Sequence, residues 1–159
     1  MGEYDPPMKR ELERGFELDD DPARVDVDAV HRFLSEESYW ARGRSRELVA
    51  ELVRTADRVI GLHHGDRQIG FSRTVACDGA GLVYLADVYV LAEFRGRGFG
   101  IELVRESVER GPYAERRWVL HTADAHELYE RFGFGPSPRL LERQVRSRER
   151  VSADGEASS

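Results

Sequence analysis

The spacing of apolar positions changes along the chain, and each change marks an element. Val27, Val30, Phe33 and Leu34 recur at helical spacing between Asp26 and Leu34 and predict an amphipathic helix. Ser45 can cap a second helix, whose apolar face is Leu48, Val49, Leu52, Val53 and Ala56. The period then shortens. Arg58 to His63 and Gln68 to Ala76 flank His64-Gly65-Asp66-Arg67, which predicts a hairpin, and Cys77-Asp78-Gly79-Ala80-Gly81 predicts a second turn. Leu82 to Leu91 is almost wholly apolar, as expected of a central strand buried on both faces. A helix follows from about Gly98 to Arg110, with Ile101, Val104 and Val108 on its apolar face, Leu103 beside them, and Gly111-Pro112 as its stop. Arg117 to His121 reads as a short strand. Asp124 to Phe132 reads as a helix carrying Ala125, Leu128, Tyr129 and Phe132 on one side, and Arg139 to Val145 as a last strand. The order β-α-α-β-β-β-α-β-α-β predicts an α+β (mixed α/β) domain around one central sheet.

At 159 residues the chain is the length of one compact domain. Residues 1–14, polar and bearing Pro6 and Pro7, are expected to be loose, the folded domain to span 15–146, and the small polar residues of 147–159 to form a disordered tail. The net charge of −6 argues against nucleic acid as the main partner. One lysine, Lys9, stands against twenty-three arginines, as expected of a GC-rich, bacterial genome. A lone cysteine, Cys77, rules out an intrachain disulfide and a thiolate zinc cluster, and suits a reducing compartment. Its neighbours Asp78-Gly79 place it at a hairpin tip rather than in a nucleophile's setting. No apolar run approaches the ~20 residues of a membrane span, and the acidic start lacks the order of a signal peptide, so a cytoplasmic protein with no membrane partner is expected. His63, His64 and His121 show no metal-ligand spacing, and no metal is expected.

The chemistry concentrates in Asp87 to Ile101, where an apolar strand runs into Arg95-Gly96-Arg97-Gly98-Phe99-Gly100 and then a helix. Free N–H groups at a helix start, with the helix dipole behind them, attract anions. Glycines let the backbone approach a phosphate closely. A Walker loop would need a lysine, and a dinucleotide fingerprint a different glycine spacing. On the glycines alone, an ordinary strand-to-helix turn is the alternative.

The segment resembles the acetyl-CoA loop of the GNAT superfamily of N-acetyltransferases, Arg/Gln-x-x-Gly-x-Gly/Ala, with Arg95, Gly98 and Gly100 in register and Val90 at the strand end. A second segment, Thr122-Ala123-Asp124-Ala125-His126-Glu127-Leu128-Tyr129 followed by Phe132-Gly133-Phe134, resembles the family's Asn-x-x-Ala-x-x-hydrophobic-Tyr and Gly-Phe. The resemblance covers roughly Val59 to Val145. It implies a GNAT-like central mixed, mostly antiparallel sheet flanked by helices, with acetyl-CoA as co-substrate. The pantetheine arm would lie between two splayed strands, against the backbone of Val88, Tyr89 and Val90. Amides of Arg95, Gly96, Arg97, Gly98, Phe99, Gly100 and Ile101 would hold the pyrophosphate. Thr122 stands where the family often carries Asn, with a shorter side chain.

The implied reaction is direct acetyl transfer from the CoA sulfur to an amine of a small molecule or protein, by a monomer or homodimer. Tyr129 matches the family's general acid, although its place on an apolar stripe also suits plain core. Asp87, a carboxylate inside the apolar strand, is a candidate base, or else a structural carboxylate tied to a neighbouring loop. Tyr39 and Trp40 are candidates for the acceptor pocket wall, or for packing at the interhelical corner. His126, a helical turn before Tyr129, either reaches the acceptor or faces solvent. The alternative function is a non-catalytic acyl-CoA-binding or sensing domain of the same fold.

Overall fold

The computed structural model describes residues 7–144; the expected tail over 147–159 and the first six residues of the expected loose segment lie outside them. The elements are β1 (Lys9–Glu13), β2 (Phe16–Asp19), α1 (Val27–Glu36), α2 (Arg46–Thr55), β3 (Arg58–His64), β4 (Arg67–Cys77), β5 (Leu82–Val90), α3 (Phe99–Val108), β6 (Arg117–Val119) and α4 (His126–Glu130). They form one six-stranded sheet in the order β1-β2-β3-β4-β5-β6. Neighbours run antiparallel as far as β5, whereas β5 and β6 are parallel and joined through α3, as a parallel pair requires a crossover. The expected mixed, mostly antiparallel sheet flanked by helices is what forms.

Four expectations are corrected. Part of the segment expected to be loose is an edge strand: Lys9–Glu13 pairs with β2 through a tight turn at Gly15, whose φ is +84°. Its charged side chains hid it, yet they suit an exposed edge, and Leu12 and Met8 pack on the adjoining core. No strand forms over 139–144, where Leu140 and Leu141 are exposed. Pro136 and Pro138 precede that stretch and lack N–H donors, and β6 offers a neighbouring strand only three residues of edge. β5 is not buried on both faces throughout: Leu82, Tyr84, Ala86 and Val88 are half-buried, and the last three line a cavity. The helix faces also shift. Leu48 is exposed in the first turn of α2, and Ile101 is half-buried while Leu103, Glu106 and Ser107 are fully covered.

The helix starts follow from their caps. Asp26 accepts the Ala29 N–H at 3.0 Å and Ser45 the Leu48 N–H at 3.1 Å, each relieving an orphan donor. α1 and α2 cover one sheet face, burying Val30, Phe33, Leu34, Val49 and Val53 against Val59, Phe71 and Tyr89. α3 covers the other, with Phe99 and Leu103 on Leu18, Ile60, Leu62 and Ile69, and Val104 and Val108 on Leu85. α3 is also pinned electrostatically. Glu106, fully buried, accepts from Arg10 at 2.8 Å and lies 3.4 Å from Arg58, which in turn donates to the Glu106 carbonyl at 2.8 Å and to Asp20 at 3.1 Å. The Arg58 guanidinium passes beneath Gly111, where a Cβ would lie 2.4 Å from it.

Candidate active site

β5 and β6 pair only over Leu82–Tyr84 and Arg117–Val119. Beyond that the two strands part, and a cavity of ≈ 650 Å³ opens between Asp87-Val88 and the 121–125 segment. A bulge in β5 shapes its floor. Phe71 pairs with Tyr89 but Arg73 with Ala86, so β5 holds one extra residue there. Asp87 takes it up with φ +54°, the left-handed region, which Asp tolerates better than most side chains. The extra residue switches the strand's faces: Leu85 packs with Val104 and Val108 of α3, whereas Tyr89 stacks on Phe33 of α1 with ring centroids 3.9 Å apart.

The bulge aims the Asp87 carboxylate at the α1–α2 connection. One oxygen accepts from Trp40 Nε1 at 3.0 Å and Arg44 at 3.1 Å; the other accepts from Arg44 at 3.1 Å and Arg73 Nε at 2.9 Å. Those four bonds use the acceptor sites of a carboxylate fully. Asp87 is buried, and Arg73 nearly so, with 11 % of its side chain exposed. On the far side of the cavity the Tyr39 hydroxyl accepts the Ala123 N–H at 2.9 Å, tying the α1–α2 connection to the loop before α4. Tyr39 and Trp40, packed edge to face, form the wall between these ties. The Thr122 hydroxyl accepts the Ala125 N–H at 3.1 Å and is thereby occupied at the start of α4.

Tyr129 sits on the inner side of α4, 9 % exposed, with its ring edge to face with Phe134 at 5.8 Å, and it lines the cavity. Its hydroxyl takes no protein partner among the described residues. Burial, with Tyr39 and Asp124 nearby, pushes the phenol up to about 12, so it stays protonated at neutral pH. His126, first residue of the same helix, is exposed and lies outside the cavity lining.

The glycine loop leads away from this cavity. Gly96 and Gly98 have φ of +79° and +83°, and Gly98 starts α3 with no side-chain cap, so the first amides of α3 remain available. A Cβ built on Gly96, Gly98 or Gly100 would meet nothing within 4 Å, an open cradle of backbone. The arginines face elsewhere. Arg95 Nε donates to the Val90 carbonyl at 2.9 Å and closes the turn; Arg97 pairs with Glu13 and lies over the rings of Phe16 and Phe99 at 4.7 and 5.0 Å. Phe99 is buried and Ile101 half-buried, so the loop presents amides rather than side chains. Tyr89 likewise turns its side chain into the α1 core, and the Val90 carbonyl is taken by Arg95.

The cavity thus gathers Tyr39, Trp40, Asp87, Val88, Thr122 and Tyr129, and leaves out His126 and the side chains of the loop. Sequence reasoning missed Arg44, Arg73 and Tyr84, and considered His121 only as a metal ligand. Tyr84 was legible as a polar tip on the Tyr84–Ala86 face of β5. Arg44 and Arg73 were not, because their meeting point depends on the bulge. Among the described residues no group of three His, Cys, Asp or Glu side chains is placed to hold a metal ion, and no helix is long and apolar enough to cross a membrane.

A family model described as the acetyltransferase (GNAT) domain matches residues 55–136, just over half of the chain. A crystal structure from Xanthomonas campestris pv. campestris, described as a candidate acetyltransferase of the GNAT family, is 36% identical over 82% of this chain and 93% of that one, with a TM-score of 0.74. A candidate acetyltransferase of Gibberella zeae is 28% identical, over 71% of this chain and 75% of its own. An aminoglycoside N-acetyltransferase solved with CoA shares the fold at 17% identity, covering 91% of this chain and 99% of its own with a TM-score of 0.59. The chain belongs to the GNAT family of acetyltransferases.

Proposed function

We propose that this protein transfers an acetyl group from acetyl-CoA directly to the amine of a small molecule or protein. The observation that carries the reading is the parting of β5 and β6 beside the uncapped start of α3, with the Tyr129 phenol on the cavity between them. The amides from Arg95 to Ile101 hold the pyrophosphate, using the dipole of α3. The pantetheine arm lies along the unpaired edge of β5 at Val88, and Arg95 keeps the turn closed beneath it. Thr122 shapes this path by holding the start of α4 rather than by touching the arm.

Tyr129 donates to the sulfur as the thiolate leaves. A phenol held at about 12 keeps its proton until charge develops, and a positioned donor of this kind contributes ~10²–10⁴ in rate. Asp87 acts as a positioning residue. Its oxygens are already filled by Trp40, Arg44 and Arg73, so taking a proton would break that cluster. Tyr39 and Trp40 form the acceptor wall. Cys77, exposed and unpaired, suits a reducing compartment such as the cytoplasm.

The test is a thermal shift with acetyl-CoA, followed by thiol release against a panel of primary amines. Acetyl-CoA at ~100 times its dissociation constant should add about 2.7 kcal/mol of apparent stability, and at least one amine should release CoA thiol. No shift would remove the cofactor site. A shift without release from any amine would favour a binding or sensing domain.

A further inference from the structure

Tyr84, His121 and Glu142 form a hydrogen-bonded line that the roles above leave unused. The Tyr84 hydroxyl lies 2.5 Å from His121 Nδ1, and His121 Nε2 lies 3.1 Å from Glu142 Oε2. Tyr84 and His121 both line the cavity that Tyr129 also lines. The outer end is open to water, with 56% of the His121 side chain exposed. With the imidazole neutral, the order of the protons follows. A carboxylate only accepts, so Nε2 carries the hydrogen; Nδ1 is then the bare nitrogen, and the phenol donates to it. Three segments meet here: β5 supplies Tyr84, the stretch after β6 supplies His121, and the chain after α4 supplies Glu142.

Resting on the acetyltransferase reading, we propose that Tyr84 and His121 are the proton acceptor for the acceptor amine, with Glu142 as the positioning residue that sets the imidazole tautomer. The acceptor arrives as a primary ammonium. One N–H proton passes to the Tyr84 oxygen while the Tyr84 proton passes to His121 Nδ1, giving a neutral amine and an imidazolium facing Glu142. The nitrogen lone pair forms the C–N bond; the C–S bond breaks with its electron pair on sulfur, which takes the Tyr129 proton. His121 discharges to water, carries the second amine proton by the same route, and water reprotonates Tyr129. The sum is one amide, one thiol and one proton released. Burial, with Asp87 and Glu142 adding to it, raises the Tyr84 phenol, while the backbone N–H of His121 and the charge of Arg73 oppose. Tyr84 therefore passes a proton on as a neutral phenol rather than resting as a phenolate. The charged groups acting on the line are Glu142, Asp87 and Arg73. Asp87 could not do this work, since its acceptor sites are filled.

Two readouts test the assignment on the full chain. In protein labelled with ¹⁵N at histidine, His121 should show the Nε2–H tautomer with Nδ1 accepting a hydrogen bond. Tyr84→Phe should remove the Nδ1 hydrogen-bond shift, and Glu142→Gln should lower the Nε2–H fraction. An Nδ1–H tautomer, or a signal indifferent to Tyr84→Phe, overturns the relay without any turnover measurement. The second readout is the pH profile of kcat/KM for thiol release from acetyl-CoA with a primary alkylamine series. His121→Gln should cost ~10²–10⁴ in rate, and the limb that remains should follow the amine's own ionisation. A weakly basic arylamine, which arrives neutral, should lose less. An unaltered profile in His121→Gln, or acetyl-CoA binding with no alkylamine turned over, overturns the proposal. A missing thermal shift with acetyl-CoA, alongside the expected tautomer, would instead strike the acetyltransferase reading.

Discussion

Replacing Asp87 by Asn separates a positioning carboxylate from a catalytic base. Asn keeps the size of the side chain and tolerates the left-handed φ of +54°, so the bulge survives and only charge and one acceptor are lost. Asn Oδ1 can still accept from Trp40 Nε1 and Arg44. The new amide faces Arg73 Nε donor to donor where a 2.9 Å bond stood, and Arg73 has little access to water in compensation. Removing one partner of a buried pair costs about 3–5 kcal/mol. Arg44 is more exposed than Arg73 and recovers some hydration, so the lower end, about 3 kcal/mol, is the expected loss. At about 3–4 °C per kcal/mol for a domain of this size, Tm should fall by roughly 10 °C.

The paired measurement is kcat at saturating acetyl-CoA, well below the new Tm. A positioning role predicts less than about a tenfold loss, roughly 1.4 kcal/mol of barrier, from a loosened Trp40 wall. A base at position 87 predicts a rate loss of ~10²–10⁴ in addition to the same loss of stability. Coupling sharpens the distinction. Arg73→Met combined with Asp87→Asn should be less destabilising than the sum of the two, by about 0.5–3 kcal/mol, because both break the same Arg73–Asp87 bond. An Asp87→Asn protein with wild-type Tm and a rate lost a hundredfold would refute the reasoning.

Gly98→Glu should abolish the acetyl-CoA thermal shift and cost about 1–2 kcal/mol of stability, from a carboxylate at the anion cradle and a side chain forced to φ +83°; unchanged affinity by calorimetry would place the phosphates elsewhere. Glu106→Gln should lower stability by about 3 kcal/mol in denaturant melts, since Arg58 and Arg10 lose a fully buried counter-charge; a neutral result would mean that the carbonyl bond from Arg58 anchors α3 alone. Tyr129→Phe should slow thiol release ~10²–10⁴-fold with acetyl-CoA affinity nearly kept. It should also flatten the alkaline stability curve. The folded phenol titrates at about 12 against about 10 unfolded. The unfolded chain therefore loses its proton first, and stability falls between those pH values, by about 2.7 kcal/mol for this group.

Periodicity and punctuation carry most of the fold. Asp26, Ser45, Gly65 and Gly111 end or start elements near where their chemistry predicts, because caps and turns act within a few residues. The failures are non-local. Lys9–Glu13 pairs only because β2 lies beside it, and no local apolar stripe reports that edge. Arg139–Val145 has strand-like composition, yet Leu140 and Leu141 are adjacent rather than alternating and lie exposed. Glu106 reads as a solvated helix position and is fully buried, because arginines from β1 and β3, distant in sequence, neutralise it.

The glycine turn before α3 and the inward place of Tyr129 on α4 were legible in the sequence and the bulge was not, for one physical reason. A strand alternates with period two, so the sequence alone assigns Leu85, Asp87 and Tyr89 to a single face. The structure sends Leu85 to α3 and Tyr89 to α1, which one extra residue at Asp87 accomplishes. The same residue brings its carboxylate to Trp40, Arg44 and Arg73. Without the bulge, Tyr89 would turn toward α3 and Phe33 would lose its stacking partner. The α1–α2 connection would lose its anchor to β5 as well. A left-handed residue inside a central strand costs of order 1–3 kcal/mol, and here the three donors on its side chain offset that cost. The arrangement that holds the cavity wall is therefore the one that stabilises the bulge, and damage to either should appear in both stability and catalysis.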